Sequence, residues 1–299
     1  MEIRLLQYFL AVTEELHFTK AAERLGISQP TLSQQIRLLE ERLDTVLFHR
    51  NGKKIELTES GHILLTHVNR IFFELDQAKT VIQELKGLNR GHLRIGCSGN
   101  HLLYSPLLSF HKQHPNIHVS VFDLETEKTI ERLLHSEFDL GIVFLPVEHS
   151  QIETIPLFKS KLSIVAANNH PLVQKDTVHV EDLANYPFFS LPKQFIIRQA
   201  IDSFFKKKGL QLQPIIELSD THSLIRMAIL NNGITILPKL YTTYEENLSI
   251  KIINMADPMP IMEVGAIYRK GMSFSSAIQA FLHHLVNFYA KPKSIKESF

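Results

Sequence analysis

Gln29, Pro30, Thr31, Ser33, Gln34 and Arg37 form the chain's most informative cluster of polar side chains. Groups of this kind read nucleic acid rather than transform a substrate. An amide donates and accepts together, which suits the paired N6/N7 edge of adenine; a guanidinium suits a guanine edge or a phosphate. At 100° per residue, Leu32, Ile36, Leu39 and Leu43 share one side of a helix, while Pro30, Ser33, Gln34 and Arg37 fall on the other. Ser28 is placed to cap the orphan N–H groups, and Pro30 in the first turn loses no helical bond. An ordinary surface helix of a bundle meets the same pattern.

The surroundings separate the two readings. A short helix bearing Ala21 and Ala22 ends at Gly26, and the spacing to Ser28 suits two helices packed across a tight turn, the second free to enter a major groove. Downstream, Leu47-Phe48-His49-Arg50 and Lys53-Lys54-Ile55-Glu56-Leu57-Thr58 flank Asn51-Gly52, a hairpin signal. The hairpin carries Arg50, Lys53 and Lys54 at its tip, as a wing that contacts phosphate or the minor groove would. A charged turn alone is common; the combination with the helix pair gives it weight.

A second set of candidates lies where strands are expected to give way to helices. Such helix N-termini offer free N–H groups and partial positive charge, a ready anion site. Cys97-Ser98-Gly99-Asn100 follows a predicted strand, so Ser98 and Asn100 are candidate ligand contacts, joined by Thr126, Ser190, Arg198 and Thr221. The expected ligand is a small anion or carboxylate. In the duller reading, Ser98, Thr126 and Thr221 merely cap helices and Arg198 lies on the surface. Cys97 beside such a loop could sense oxidants through a lowered pKa. A small buried thiol is the preferred reading, because no second cysteine is present as a resolving partner.

Catalytic chemistry finds little purchase. No GxxxxGK[ST] or GxGxxG motif occurs. His111, His114 and His118 are interrupted by Pro115, and His283 and His284 are adjacent, so neither set has metal-ligand spacing. No activated nucleophile is visible, and no catalytic residue, metal or cofactor is expected. The competing class is a ligand-binding protein or enzyme built on the C-terminal part, with the N-terminal part serving association.

The elements follow from periodicity. Leu64, Val68, Ile71, Leu75, Ala78, Ile82 and Leu85 alternate steps of four and three, a heptad seam on a helix of roughly 40 Å that needs a partner. Gly87 to Gly91 breaks this helix. Beyond it, strands near 92–96, 117–122 and 138–144 alternate with helices near 106–114 and 126–135. Further strands are expected near 162–166, 215–218, 233–237 and 264–268, with helices near 196–207, 223–231 and 276–289. The alternation predicts parallel strands with crossover helices. The organisation is therefore 1–58 DNA-binding, 59–87 linker and dimerisation, and 91–299 α/β.

Composition sets limits. The chain has 299 residues, long enough for two or three domains, with 44% apolar and 21% charged residues, a globular balance. No long apolar run predicts a membrane span, and no signal-peptide pattern is present, so a cytoplasmic location is expected. The one cysteine excludes an internal disulfide. Residues 1–60 carry eight Lys/Arg against nine Asp/Glu, so DNA binding must rest on local placement rather than bulk charge.

Leu5-Leu6-Gln7-Tyr8-Phe9-Leu10-Ala11-Val12, the run from Phe18-Thr19-Lys20-Ala21-Ala22 to Ser28-Gln29-Pro30-Thr31-Leu32-Ser33, Leu47-Phe48-His49-Arg50 and Leu57-Thr58-Glu59-Ser60-Gly61 together resemble the LysR-type transcriptional regulators. The resemblance implies a winged helix-turn-helix, a long linker helix, and a two-lobed α/β effector domain similar to periplasmic binding proteins. The lobes would span about 91–161 with 268–299, and 162–267. The positions of Gln29, Pro30, Ser33, Arg37 and Arg50 tend to touch DNA in the family, and Ser98 and Asn100 match positions near the effector. Gln34 stands where the family often has Arg, which bears on sequence preference. Implied partners are promoter DNA with two half-sites, a small-molecule effector, a second copy of the chain in a dimer or tetramer, and RNA polymerase. Glu127 to Glu131, Ile142 to Val147 and Ile155-Pro156-Leu157 look similar to regulators of the cyanate-operon type and to those answering small organic acids.

Overall fold

A computed structural model of the chain describes residues 2–51, 54–85, 91–242, 249–253 and 255–290. Two compact units result: Met1–Lys79 with His135–Glu137, and Thr80–Leu134 with Phe138–Phe299.

In the first unit, helices α1 (Ile3–Glu15), α2 (Phe18–Leu25) and α3 (Gln29–Leu43) bury Phe9, Val12, Ala21, Leu32, Ile36 and Leu39 in one apolar core. The α2–α3 joint is locally encoded. Gly26 closes α2 with φ of 66°, a left-handed conformation that glycine adopts without a steric penalty. The Ser28 hydroxyl accepts the Thr31 N–H at 3.3 Å, and Pro30 sits in the first turn of α3.

A hairpin follows. β1 (Phe48–Asn51) pairs antiparallel with β2 (Lys54–Leu57), from Phe48 opposite Leu57 to Asn51 opposite Lys54. Asn51 is therefore a strand residue rather than the first residue of the turn, because the ladder extends one pair further than the Asn-Gly signal implied. Its base is anchored twice. The Glu40 carboxylate accepts the Leu47 N–H at 2.8 Å. Thr58 donates its hydroxyl to the Val46 carbonyl at 2.7 Å and accepts the Gly61 N–H at 3.0 Å. Lys53, and the side chains of Arg50 and Lys54, lie outside the described residues.

The helix α4 (Glu59–Leu85) runs for 27 residues. Its expected seam divides. Val68 is buried in the core of the first unit and Leu64 packs partly against it, so these two already have partners within the chain. Ile71, Leu75, Ala78 and Ile82 remain exposed, and the side chain of Leu85 lies outside the described residues. A straight helix turns by about 20° per heptad relative to a strict seven-residue repeat, which carries the seam off the local core.

The second unit begins with β3 (His92–Cys97), α5 (Tyr104–Gln113), β4 (His118–Asp123), α6 (Thr126–Leu134) and β5 (Leu140–Leu145), with β4, β3 and β5 parallel. The chain continues through β6 (Ile152–Ala167), β7 (Phe188–Ser190), α7 (Ile196–Lys207), β8 (Ile216–Glu217), α8 (Thr221–Leu230) and β9 (Ile234–Pro238). It closes with α9 (Lys239–Thr242), β10 (Ile250–Ile253), β11 (Ile261–Arg269) and α10 (Ser276–Ala290). The nine strands run β4-β3-β5-β11-β6-β9-β7-β8, with β10 beside β6.

Parallel pairing holds within β3/β4/β5 and β7/β8/β9 but not throughout. β11 is antiparallel to both β5 and β6, and β9 and β10 are antiparallel to β6. The 16-residue β6 pairs with β11 over Ile152–Lys161 and with β9 over Leu162–Val165. One strand thus serves two sheet regions. Only its buried C-terminal part announced itself in the sequence, because the first part is half-exposed and interrupted by charge. Among the described residues no helix is long and apolar enough to cross a membrane.

Candidate nucleic-acid face and ligand cavity

The outer face of α3 carries the polar residues expected of it. Gln29, Pro30, Thr31, Gln34 and Arg37 are exposed and Ser33 is half-buried, while Leu32, Ile36 and Leu39 lie in the core. Local charge resolves the acidic balance of this segment. Arg24 is paired with Glu14 and Glu15, and Arg42 with Glu2 at 3.2 Å. Arg37 makes no ion pair among the described residues, so its guanidinium is available at the surface.

The second unit contains a cavity with about 450 Å³ of empty space, part of it open to solvent. Ser98, Gly99, Asp123, Glu125, Thr126 and Phe144 form one wall. The rest of the lining comes from Leu191, the start of α7 at Phe195, Ile196 and Ile197, Ser219 with Thr221 at the start of α8, and Tyr241. The first wall is built by strand ends. The Ser98 N–H donates to the Ile142 carbonyl at 2.9 Å, fixing the loop after β3 to β5. The Ser98 and Thr126 hydroxyls lie 3.1 Å apart in a hydrogen bond. Gly99, at φ of 116°, turns its N–H to Asp123 Oδ1 at 3.1 Å.

The titratable groups here are shaped by burial. Desolvation holds the Asp123 carboxyl above the ordinary range, and nearby Asp220 adds to this, against the N–H bonds from Asn100 and Gly99. Asp220 moves the other way. Burial raises it, but bonds from Ser223 and His222 prevail and lower it. His101, buried and in ring contact with Tyr241, is lowered by desolvation from 6.5 to about 3. Cys97 is fully buried, its thiol donates to the Gly99 carbonyl at 3.1 Å, and burial followed by the Asp123 charge pushes its pKa well up. A thiolate sensor would need the opposite shift.

Of the six residues expected at a ligand, the cavity brings together Ser98, Thr126 and Thr221. The other three are not on its wall. Asn100 opens a short turn after Gly99, and its side-chain oxygen is buried with no hydrogen-bond partner among the described residues. Ser190 is buried at the end of β7. Arg198 is neither cavity-facing nor on the surface. It is buried and bonded to Asp202 at 2.8 Å, Glu217 at 2.7 Å and the Leu191 carbonyl at 3.0 Å. It braces the chain behind Leu191, a wall residue. Expecting polar side chains at an anion site favoured Arg198 and passed over Asp123, which ends β4, and the apolar wall. Asp123 was accessible to the strand-end rule; Phe144, Leu191 and Tyr241 carried no local signal.

Residues 3–62 match the family model of the bacterial regulatory helix-turn-helix protein, lysR family, and residues 86–290 match the LysR substrate binding domain. The HTH-type transcriptional regulator AlsR of Bacillus subtilis is 30% identical over 292 residues, covering 95% of each chain. The HTH-type transcriptional activator CmpR of Synechocystis sp. is 30% identical, covering 93% of each. Among solved structures, the effector binding domain of QuiR in complex with shikimate aligns with a TM-score of 0.59 at 25% identity, over 67% of this chain and 98% of that one. Full-length CbnR complexed with its target DNA has the same fold, with a TM-score of 0.72 at 22% identity over 96% and 99% of the two chains.

Proposed function

Because the chain belongs to the LysR family, whose members are transcriptional regulators rather than enzymes, we propose that it binds promoter DNA through α3 and the β1–β2 wing, under control of a small molecule held in the cavity. The observation that carries this reading is the exposed Gln34 and Arg37 face of α3 opposite a fully packed one. Gln29, Pro30, Thr31, Ser33, Gln34 and Arg37 read or position a half-site, and Arg50, Lys53 and Lys54 hold phosphate from the wing. Residues 1–58 are the DNA-binding part, 59–87 the linker and 91–299 the effector-binding part, in a cytoplasmic protein that meets RNA polymerase at its promoters.

Self-association supplies the second half-site. The exposed Ile71, Leu75, Ala78 and Ile82 row of α4 is the surface for it, giving a dimer or a tetramer. Ser98, Thr126 and Thr221 contact the effector directly. Asn100, Ser190 and Arg198 act behind the wall. An effector changes DNA binding only through different affinities for two arrangements of the subunits. AlsR and CmpR do not single out the cyanate-operon type, so the reading proceeds from the family as a whole.

Footprinting on the DNA upstream of the gene tests this. Two protected half-sites separated by one or more helical turns are expected. A monomer that protects no promoter fragment at low ionic strength would overturn it.

A further inference from the structure

Histidines with no metal-ligand spacing along the chain can acquire it through strand pairing. His92 opens β3 and His118 opens β4. The two strands are parallel, and these residues lie in register with each other. Neighbouring strands run about 4.8 Å apart, and in-register residues send their side chains to the same face. Both histidines are exposed. Their imidazole rings stack with centres 4.7 Å apart and planes at 20°. Ser120, two residues along β4, meets His92 Nε2 with its hydroxyl at 3.2 Å.

That spacing has a chemical meaning. Imidazole suits late transition metals, with nitrogen about 2.0–2.1 Å from a zinc ion. Two imidazoles bound at a right angle on one ion, through bonds of that length, keep their ring centres roughly 4.5 Å apart. The observed 4.7 Å reaches this arrangement by rotation of the rings, with the strands left in place. A partner such as Ser120 at one ring nitrogen is the kind of support that orients a metal-binding imidazole. Among the described residues no group of three or more His, Cys, Asp or Glu could hold a metal ion, so water completes the coordination. An open imidazole pair without carboxylates suits Cu2+, Ni2+ or Zn2+ and not Ca2+ or Mg2+.

We propose that His92 and His118 form a two-imidazole site for a divalent late transition metal, which clips β4 to β3 in the second unit. β4 is an edge strand whose ladder partner is β3 alone, so a bridging ion adds a tie where the sheet has a single one. Other histidines lack this relation. His114 packs its ring on Phe110, and His284 is bonded to Ser109 at 2.8 Å. His283, adjacent to His284 on α10, points in a different direction. The site is independent of the proposed DNA and effector roles.

The test uses the full chain without a histidine tag, and Ni2+ alone as the probe. Calorimetric titration is expected to show one tightest Ni2+ per chain. His92→Gln and His118→Gln, both exposed and polar, should each weaken that event by about tenfold or more, because a single imidazole no longer chelates. The double variant should lose little beyond either single one. Ni2+ should raise the unfolding temperature of the second unit in the parent chain and not in either variant. His111→Gln combined with His114→Gln should leave the tight event intact. The proposal is overturned if the parent chain binds no Ni2+, if either single variant binds it as the parent does, or if the His111 and His114 changes remove the tight event. An equal rise in unfolding temperature in parent and variants overturns the clip.

Discussion

The α3 face and the cavity both gather polar groups near helix starts, yet they are assembled differently. The α3 face comes from one continuous run, Gln29 to Arg37, whose apolar partners Leu32, Ile36 and Leu39 occupy successive turns. The cavity draws its walls from segments scattered between Ser98 and Tyr241. On α3, the residues proposed to bind and the residues that fold are different side chains on opposite sides. In the cavity they coincide. Ser98 bonds Thr126, Gly99 turns the loop, and Asp123 holds that loop in place. Function can be removed from α3 without touching stability, whereas a change in the cavity wall alters both.

The largest expected effect tests whether the two units are separable. Leu32→Ala should cost about 2–5 kcal/mol by opening a cavity in the first unit, and abolish promoter binding. Ni2+ binding by His92 and His118 in the second unit should persist; its loss in titration calorimetry would break the proposed separation.

Next, Gln34→Ala should weaken binding to the promoter by about tenfold or more, corresponding to about 1–3 kcal/mol for a lost base contact. Affinity for random DNA should stay unchanged. Equal losses in gel-shift titrations on both DNAs would remove Gln34 from base reading. Arg37→Ala sharpens the contrast within one helix. It should weaken both DNAs alike and reduce the salt dependence by about one unit if Arg37 holds a phosphate. An unchanged slope in a salt titration points instead to a base edge.

The smallest effect concerns acid. His101 is held neutral in the folded chain down to about 3, against 6.5 for an ordinary histidine. Between these values the unfolded chain takes up a proton that the folded chain refuses, so this contribution to stability is present at neutral pH and is lost as pH falls. Asp123, held above the ordinary range, works in the opposite sense. Unfolding temperatures of the second unit from pH 7 to 4 should fall less steeply in His101→Phe than in the parent chain. Parallel slopes would show that His101 does not govern this acid sensitivity.

Legibility in the sequence follows the same division. The α2–α3 joint was readable because Gly26, Ser28 and Pro30 act within a few residues through backbone conformation and capping. The heptad row on α4 was readable as a pattern but not as an interface. Which of its residues the chain itself covers depends on how far α4 rotates over the core that buries Val68. Arg198 shows the limit most clearly. Its type suggested an anion site, but Glu217, distant in sequence, brings a carboxylate to it and leaves the guanidinium a buried brace.

Local periodicity and turn chemistry thus determined the helices, the wing and the alternating α/β pattern, since each depends on neighbours along the chain. The antiparallel passage of β6 and β11 between sheet regions, the balance of charge around Asp123 and the membership of the cavity wall were decided only by tertiary contacts. Burial and Coulomb interactions depend on distance in space, and that distance exists only once the strands have paired.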